Sequence, residues 1–415
     1  MRLSNPSGLI ICLVTCLLGI GMLMVYSSDW ASSMGIKGSG FQALISHTTG
    51  LVIGVGMAVG IVLLGYWRLE PLVIAYILLG LAAVGLMLVL VPGIGSVHGG
   101  ARRWIRFGSL IGFQPSEFAK LGIILFLASW TASNRERMHE LARGFLIPLA
   151  AIVGLTVLTV VEPDFGTATF LAALGMMVLT VAGARWLYIG ITVLAAAPVA
   201  GLLVYLEPYR MARLLAFLDP WNDSSGAGYH LIQSWIALGS GGLVGKGLGG
   251  GYQKLLFLPE SSGDFVFAVL GEELGFLGAF GLVVIFAMLA WQGMRVARMA
   301  KDHNDYFGHV LALGVTFMIC YQAAFNMAVA LGCVPTKGIA LPFISSGGSS
   351  ILSSLAAIGL LLSVAMRYEC EEVPSRSAVR PAQNAAGTTV GAGPFGLSLG
   401  RAAFLRKKRK RMVAP

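Results

Sequence analysis

Charged residues are scarce in this sequence. Only 12% of its 415 residues are Asp, Glu, Lys or Arg, while 56% are hydrophobic. Soluble globular domains carry about 25% charged residues, and the mean hydropathy here is +0.80. This composition argues against a soluble globular body and indicates a polytopic membrane protein.

Motifs for several common chemistries are also missing. The five cysteines show neither CxxC pairs nor metal-ligand spacing, which predicts small core side chains and no disulfide framework. The six histidines are scattered, without an HExxH pattern, and the sequence contains neither a Walker A nor a Rossmann motif. No resident metal or nucleotide site is therefore predicted.

What the sequence does contain is a succession of long apolar runs. They lie at about 9–26, 46–65, 72–92, 117–132, 146–161, 165–182, 186–206, 265–292, 308–332 and 350–368. Each is near the length that a membrane-spanning helix requires, and no small-residue cleavage site follows the first one. We therefore expect an all-α polytopic membrane protein with about ten transmembrane helices in one domain, residues 1–368.

The distribution of Lys and Arg predicts the orientation. If Met1 is cytoplasmic, the connections on that side contain Arg68, Arg135, Arg137, Arg143, Arg185, Arg295, Arg298 and Lys301. Since positive charge favours the cytoplasmic side, both termini are expected there. Residues 369–415 turn Pro-, Ala-, Gly-, Ser- and Thr-rich and carry RKKRKR at 406–411. They predict a disordered basic tail near anionic lipids, with no nucleic-acid role.

The same orientation places a long extracytoplasmic loop between the seventh and eighth helices, at about 207–264. It is Gly-rich and half apolar, so we expect it to fold back onto the membrane face. Its glycines could form a plain flexible loop or could present backbone N–H groups to an anion.

Carboxylates occur where a membrane protein least accommodates them. Asp264 stands at the threshold of the eighth apolar run, and Glu272 and Glu273 lie inside it. A membrane-embedded charge costs roughly 2.5–3.5 kcal/mol on insertion scales, so a functional role is the first hypothesis. The alternatives are a helix N-cap for Asp264 and structural bonding to polar neighbours for the two glutamates.

Basic residues on the predicted outer side also need a reason. The candidates for anion binding are Arg102, Arg103, Arg106, Lys246, Lys254 and Lys337. The three arginines could instead extend to lipid head groups. Lys337 precedes a Ser/Gly run that includes Ser345 and Ser349, which could cap the tenth helix or contact an anionic substrate.

Two further acidic positions follow from spacing. Glu117 and Lys120 lie three residues apart, so they can pair on one helix face. Such a pair could be an ion pair at the membrane rim, or a cavity-lining pair that positions substrate or transmits activation. Asp164 follows Pro163 in the turn between the fifth and sixth helices and is expected to cap the sixth.

Two long motifs now point to a family. They are FLPESSGDFVFAVLGEELGFLG at 257–278 and NMAVALGCVPTKGIALPFISSGGSS at 326–350. Shorter matches are MVYSSD at 24–29, GARRWI at 100–105, FQPSEFAKL at 113–121 and EPDFGTA at 162–168. Over about residues 9–368 the chain resembles the SEDS family (shape, elongation, division and sporulation), which includes FtsW, RodA and SpoVE. The segments around Lys337 and Ser345 look more like the division-type FtsW branch.

The resemblance implies a lipid II-dependent peptidoglycan glycosyltransferase of the bacterial inner membrane at the division septum. Its partners would be a class B penicillin-binding protein and other division proteins. Asp264 would occupy the position of the family's essential aspartate and act as the base, while the basic candidates above, with Ser345 and Ser349, would contact substrate. No cofactor is certain, although Mg²⁺ or Mn²⁺ could accompany the substrate diphosphate. A lipid II flippase and a non-catalytic division scaffold are the alternatives.

Overall fold

The computed structural model describes residues 5–35, 42–98, 101–107, 111–226, 228–254, 258 and 262–371. Most of the predicted tail, residues 372–415, lies outside this range. The predicted fold class is confirmed, because apolar helices dominate the described residues. The helices are α1 Pro6–Gly35, α2 Gln42–Leu64, α3 Leu72–Leu90, α4 Pro115–Ser133, α5 Ile147–Val161, α6 Phe165–Val181, α7 Trp186–Tyr205, α8 Pro208–Leu218, α9 Tyr229–Gly241, α10 Val266–Asp302, α11 Tyr306–Ala330 and α12 Gly348–Glu371.

The ten predicted spans correspond to α1 to α7 and α10 to α12. Within the described residues, eight helices are long and apolar enough to cross a membrane, and α4 and α6 are not among them. Helix α6 has 17 residues, and α4 carries Glu117 and Lys120 in its first two turns. Both helices contribute residues to the candidate site described below.

Helices α11 and α12 form the centre of the structure. Of the 18 most apolar consecutive residues of α12, 94% are buried by protein. The corresponding share in α7 is 0%. Since α7 is hydrophobic along its whole length, its side chains suit contact with lipid. The protein core therefore lies around α12, and α7 lies at the periphery.

A small antiparallel sheet, which the hydropathy pattern did not predict, follows α3. Its strands are β1 Gly95–His98, β2 Ala101–Phe107 and β3 Ile111–Phe113, in the order β1-β2-β3. The hydroxyl of Ser349 accepts a hydrogen bond from Gln114 N at 3.0 Å and donates one to Gly112 O at 2.6 Å. These bonds fix the end of the sheet to the start of α12.

The long connection between α7 and α10 contains two helices, α8 and α9, followed by a glycine-rich segment. Helix α9 packs against α10, and its Ser234 hydroxyl donates to the Ala330 carbonyl at the end of α11 at 2.8 Å. The connection is thus attached to the helices on either side of the candidate site.

Helix α10 is broken near one end. Gly275 has φ 68° and ψ −168°, which is not helical. The i to i−4 bonds that would cross this point are replaced by bonds to residues 242–247. Lys246 N donates to Glu272 O, Gly247 N to Glu273 O, Phe276 N to Gly242 O and Leu277 N to Leu243 O, all at 2.8–3.1 Å. Four backbone groups beside the break are therefore paired within the protein, which an apolar environment favours.

Close helix packing supplies a first prediction. Helices α2 and α12 touch through Gly359, where an added Cβ would lie 2.8 Å from Ala58 Cα and 2.9 Å from Ala58 O. Gly359→Ala should lower the free energy of unfolding by roughly 1–3 kcal/mol, because backbone atoms would have to separate. Thermal unfolding in detergent measures this. Gly60→Ala in α2 is the control, since no atom lies within 4 Å of its added Cβ. Equal stabilities of the two variants would contradict the packing account.

Candidate functional site

Asp264 lies immediately before α10 and is fixed through its backbone. The Asn326 side-chain amide donates to both Asp264 O and Ile339 O at 2.8 Å. The Ser345 hydroxyl donates to Gly263 O at 2.7 Å. The N-cap of α10 is Phe265, so the structure does not support Asp264 as the cap of this helix. Asp264 is instead held between α11 and the α11–α12 connection, residues 331–347.

Asp264 stands where two cavities meet. One, the pair cavity, has a volume of about 220 Å³ and is lined by Asp264 together with Glu117 and Lys120. The other has a volume of about 490 Å³ and includes Arg213 and Lys337 among its lining residues. A carboxylate in this position can contact molecules bound on either side.

The larger cavity continues into a third one of about 160 Å³, and we call the two together the cationic cleft. They share Tyr209, Arg213, Thr336, Lys337 and Gly338 as lining residues. The third cavity adds Arg103 and Arg210. The cleft therefore has four cationic side chains on its walls, from β2, α8 and the α11–α12 connection.

Gly338 is the residue that separates the cleft from the pair cavity, since it lines all three cavities. A Cβ at this position would lie 2.8 Å from Asp264 Oδ2. Any larger residue would therefore press on the Asp264 carboxylate. The glycine keeps the approach to Asp264 open.

Uncharged neighbouring groups hold the cations of the cleft, and Arg103 also lies near a carboxylate. Lys337 Nζ donates to Thr169 Oγ1 at 3.1 Å and lies 4.6 Å from the centre of the Phe165 ring. Arg213 donates to Thr336 O at 3.3 Å. Arg103 donates to Pro163 O at 2.9 Å, and its Nε lies 3.7 Å from Asp164 Oδ2.

Asp164 also caps α6 as the sequence predicts, because its carboxylate accepts from Thr167 N at 3.1 Å and from Thr167 Oγ1 at 2.8 Å. It is the one carboxylate within ion-pair distance of a cleft cation among the described residues. With Asp223 and Asp264, which also line it, the cleft has three carboxylates against four cations, so positive charge exceeds negative charge by one.

Lys337 in the cleft and Glu162, buried beside the cleft residue Pro163, both have shifted pKa values. Burial lowers the pKa of Lys337 to about 8; nearby Asp164 opposes this, and Arg210 and Arg213 reinforce it. Burial, reinforced by Asp164, raises the pKa of Glu162 to about 8, against the effect of Arg103. Glu162 is fully buried, and neither of its carboxyl oxygens has a hydrogen-bond partner among the described residues. At pH 7 Lys337 is thus charged and Glu162 neutral.

Glu117 and Lys120 form the predicted ion pair, with Nζ and Oε1 2.7 Å apart. Lys120 also donates to Gln322 Oε1 at 2.7 Å, and Ser353 donates to Glu117 Oε2 at 2.9 Å. Both residues are buried and line the pair cavity. This placement favours the cavity-lining interpretation over a pair at the membrane rim.

Several other predicted substrate contacts lie elsewhere. Lys246 pairs with Glu272 at 2.8 Å and Lys254 with Glu273 at 2.5 Å, and neither lysine lines the three cavities. Glu272 and Glu273 are therefore interior groups bonded to polar neighbours. Tyr252 N and Gln253 N also donate to the Glu272 carboxylate at 3.0 and 3.1 Å. Backbone N–H groups of the glycine-rich loop therefore do bind an anion, as one of the two interpretations predicts. That anion is a carboxylate of the same chain.

The remaining predicted residues divide in the same way. Ser345 lines the pair cavity, whereas Ser349 joins the sheet to α12 and lines none of the three cavities. Arg102 also lines none of them. The side chain of Arg106 lies outside the described residues.

The structure adds Arg210 and Arg213, which the sequence analysis did not place in the site. They lie three residues apart on α8, a spacing that directs both to one helix face. That spacing was visible in the sequence, but the helix was not, because an 11-residue amphipathic helix resembles a loop in a hydropathy profile.

Comparison with known proteins gives a consistent family. Residues 8–369 match the sequence model of the cell cycle proteins FtsW, RodA and SpoVE. A Thioalkalivibrio sulfidiphilus protein named "Probable peptidoglycan glycosyltransferase FtsW" is 41% identical over 353 residues, which cover 85% of this chain and 87% of that protein. Stage V sporulation protein E of Bacillus subtilis is 37% identical over 88% of this chain and 98% of its own length.

Solved structures agree with the sequence relatives. A chain of a peptidoglycan synthase complex, solved to explain how polymerization and crosslinking are coordinated, has a TM-score of 0.71 and 29% identity, covering 88% of this chain and 99% of that chain. Thermus thermophilus RodA, a rod shape determining protein, has a TM-score of 0.63 and 27% identity, covering 88% and 98% of the two chains. The chain belongs to the FtsW, RodA and SpoVE family of cell cycle proteins, the SEDS family.

Proposed function

We propose that this protein is a peptidoglycan glycosyltransferase that polymerises lipid II, the undecaprenyl-diphosphate-linked disaccharide peptide. The observation that carries the proposal is the position of Asp264 at the junction of a cationic cleft and a second polar cavity. Relatives named as peptidoglycan glycosyltransferases, about 40% identical over most of the chain, support it. The division branch to which they belong supports a role in septal wall synthesis.

The cationic cleft suits the donor. A diphosphate leaves as an anion, so its departure needs positive charge more than a general acid. Arg103, Arg210, Arg213 and Lys337 supply that charge on one side of Asp264. Arginine adds planar paired donors that match phosphate oxygens.

The pair cavity suits the acceptor sugar. Its polar lining gives hydrogen-bond partners for hydroxyl groups, with Gln114 and the Glu117–Lys120 pair opposite Asp264. The 4-hydroxyl of the acceptor would approach Asp264 from the pair cavity. The anomeric carbon of the donor would approach from the cationic cleft. Asp264 then accepts the hydroxyl proton as the hydroxyl oxygen attacks that carbon.

The bonding changes balance in one step. The new bond joins the acceptor oxygen to the anomeric carbon, and the bond from that carbon to the diphosphate oxygen breaks with its electron pair on the diphosphate. An α-linked donor becomes a β-1,4 product, so a single displacement with inversion is enough and a covalent enzyme intermediate is not required.

A divalent cation would enter this site with the substrate diphosphate. The described residues contain no group of three or more His, Cys, Asp or Glu side chains that could hold a metal. Mg²⁺ commonly binds one or two carboxylates together with substrate phosphates. Asp223 and Asp264, which line the same part of the cleft, would hold Mg²⁺ or Mn²⁺ only together with the diphosphate.

The setting of the reaction follows from the same proposal. We place the cleft on the outer side of the bacterial inner membrane, with both termini in the cytoplasm, because the basic connections then lie inside. A class B penicillin-binding protein is the proposed partner, since a related chain belongs to a synthase complex that coordinates polymerization with crosslinking. Other division proteins would localise the pair to the septum.

Replacement of Asp264 tests the proposal. In a complex with the cognate class B transpeptidase, Asp264→Asn should reduce polymerisation of purified lipid II by about 10²- to 10⁴-fold, because a general base is lost. Glycan products resolved by length measure the rate, and equal thermal unfolding and complex recovery control for folding. Polymer formation by Asp264→Asn at the wild-type rate would contradict the assignment of Asp264 as the base. Lipid II translocation without polymerisation by the wild type would favour the flippase alternative.

The cleft also predicts a dependence on pH. The protonated form of Lys337 binds an anion, so kcat/KM should fall as pH rises through about 8, where Lys337 loses its charge and Glu162 gains one. Lys337→Arg keeps its charge over this range and Glu162→Gln stays neutral, so the double variant should show a flat profile between pH 7 and roughly 9.5. Rates over that range, in wild type and each variant, give the profiles. An unchanged basic limb in the double variant would mean that other groups titrate there.

A further inference from the structure

We propose that Glu273, Lys254 and Ser27 are positioning residues that hold the end of α10 next to Asp264, on the far side of the break at Gly275. The inference rests on the proposed function, because it assigns these residues a role in the rate of that reaction. We call the three side chains the helix-break network. They act through the backbone, since none of them lines the cationic cleft or the pair cavity.

The break makes the end of α10 a separate short element. Residues 266–274 precede Gly275, whose non-helical angles interrupt the helix. An isolated helix of this length is unstable in water because nucleation is costly. Its direction is therefore set by the segments that contact it. That direction acts on the position of Asp264 together with the bonds from Asn326 and Ser345.

The backbone bonds to residues 242–247 supply one part of that contact. The two segments lie so close together that there is no space for a side chain at Gly275 or Gly245. A Cβ on Gly275 would lie 2.3 Å from Gly245 N, and a Cβ on Gly245 would lie 2.2 Å from Glu273 O. Both residues have positive φ, 68° at Gly275 and 87° at Gly245, a region that glycine occupies without strain. The sequence thus specifies the break by placing glycine at both Gly275 and Gly245, which face each other.

The helix-break network supplies the second part. Glu273 Oε1 accepts from Ser27 Oγ at 2.8 Å and from Lys254 Nζ at 2.5 Å, and Lys254 also donates to Ser27 Oγ at 2.6 Å. Glu273 is fully buried and Lys254 is 4% exposed. Charge-assisted bonds of this kind are stronger and more directional than neutral ones. They join α1, the α7–α10 connection and the short end of α10 at one point.

Glu272, the neighbouring residue, joins the same end to other parts of the connection. Its carboxylate accepts from Lys246 Nζ, Tyr252 N and Gln253 N at 2.8–3.1 Å. The two adjacent glutamates thus bind the connection through separate lysines. Buried ionic groups stabilise a protein little compared with apolar packing, and specifying one arrangement is their better-attested use. The arrangement specified here is the direction of the helix end that begins at Val266, two residues after Asp264.

The test separates positioning from stability with charge-neutral variants. Glu273→Gln and Lys254→Met each leave the partner charge buried without its counterion, so both should lower the thermal midpoint. The double variant removes both charges and should recover much of that midpoint. We expect kcat for lipid II polymerisation to fall at least 10-fold in all three, with KM changed less than 3-fold, in complex with the cognate transpeptidase.

A second measurement does not depend on activity. Hydrogen–deuterium exchange followed by mass spectrometry should show faster exchange of amides in residues 266–274 in the double variant, with no change in residues 281–302. Gly275→Ala should show the same pattern. Gly281→Ala is the matched control in the same helix, because no atom lies within 4 Å of its added Cβ, and it should match wild type in both measurements.

The outcomes distinguish this inference from the proposed function. If the double variant regains wild-type kcat together with its thermal midpoint, or if exchange in residues 266–274 is unchanged, the positioning role is overturned. If wild-type protein makes no glycan, the proposed function fails, and the exchange pattern alone then decides whether these side chains hold the helix end.

Discussion

Ionic side chains buried among apolar helices must be paired inside the protein, and the arrangement of this molecule follows from that constraint. Three close ion pairs each join elements distant in sequence or line a cavity. They are Glu117–Lys120, Glu272–Lys246 and Glu273–Lys254. Removing one member of a buried pair typically costs about 3–5 kcal/mol, because the other charge is left unpaired. The pairs therefore fix the elements on which they lie.

The cations outside these pairs identify the site. Among the described residues, Arg210, Arg213 and Lys337 have no carboxylate within ion-pair distance, and Arg103 meets only Asp164, at 3.7 Å. Their partners are aromatic rings, a hydroxyl and carbonyl oxygens. A cleft with this excess of positive charge, next to a fixed carboxylate, is suited to an anionic ligand that reacts beside it. Long-range pairing thus separates structural lysines from the cations that remain available to an anionic ligand.

The sequence predicted the large features for physical reasons. Ten apolar runs marked the helices, because spanning length and hydropathy are local properties. The Glu117–Lys120 pair and the Asp164 cap followed from spacing within one turn. The sheet was missed because its strands have 4, 7 and 3 residues and no regular alternation. The carboxylate partners of Lys246 and Lys254 were also missed, since they lie 26 and 19 residues away along the chain. The break at Gly275 depends on residues 242–247 and has no local signal except glycine.

The central claim is that the diphosphate binds on the cationic side of Asp264. Cryo-electron microscopy of the protein in complex with its transpeptidase and undecaprenyl diphosphate tests it most directly. The account predicts both phosphorus atoms between Lys337 and Arg213, with the phosphate oxygens within hydrogen-bond reach of Arg103 or Arg210. The terminal phosphate, which carries the sugar in the donor, should lie at the end of the cleft nearer Asp264. Diphosphate in the pair cavity beside Lys120, or bound to Lys246 and Lys254 in place of their glutamates, would contradict it.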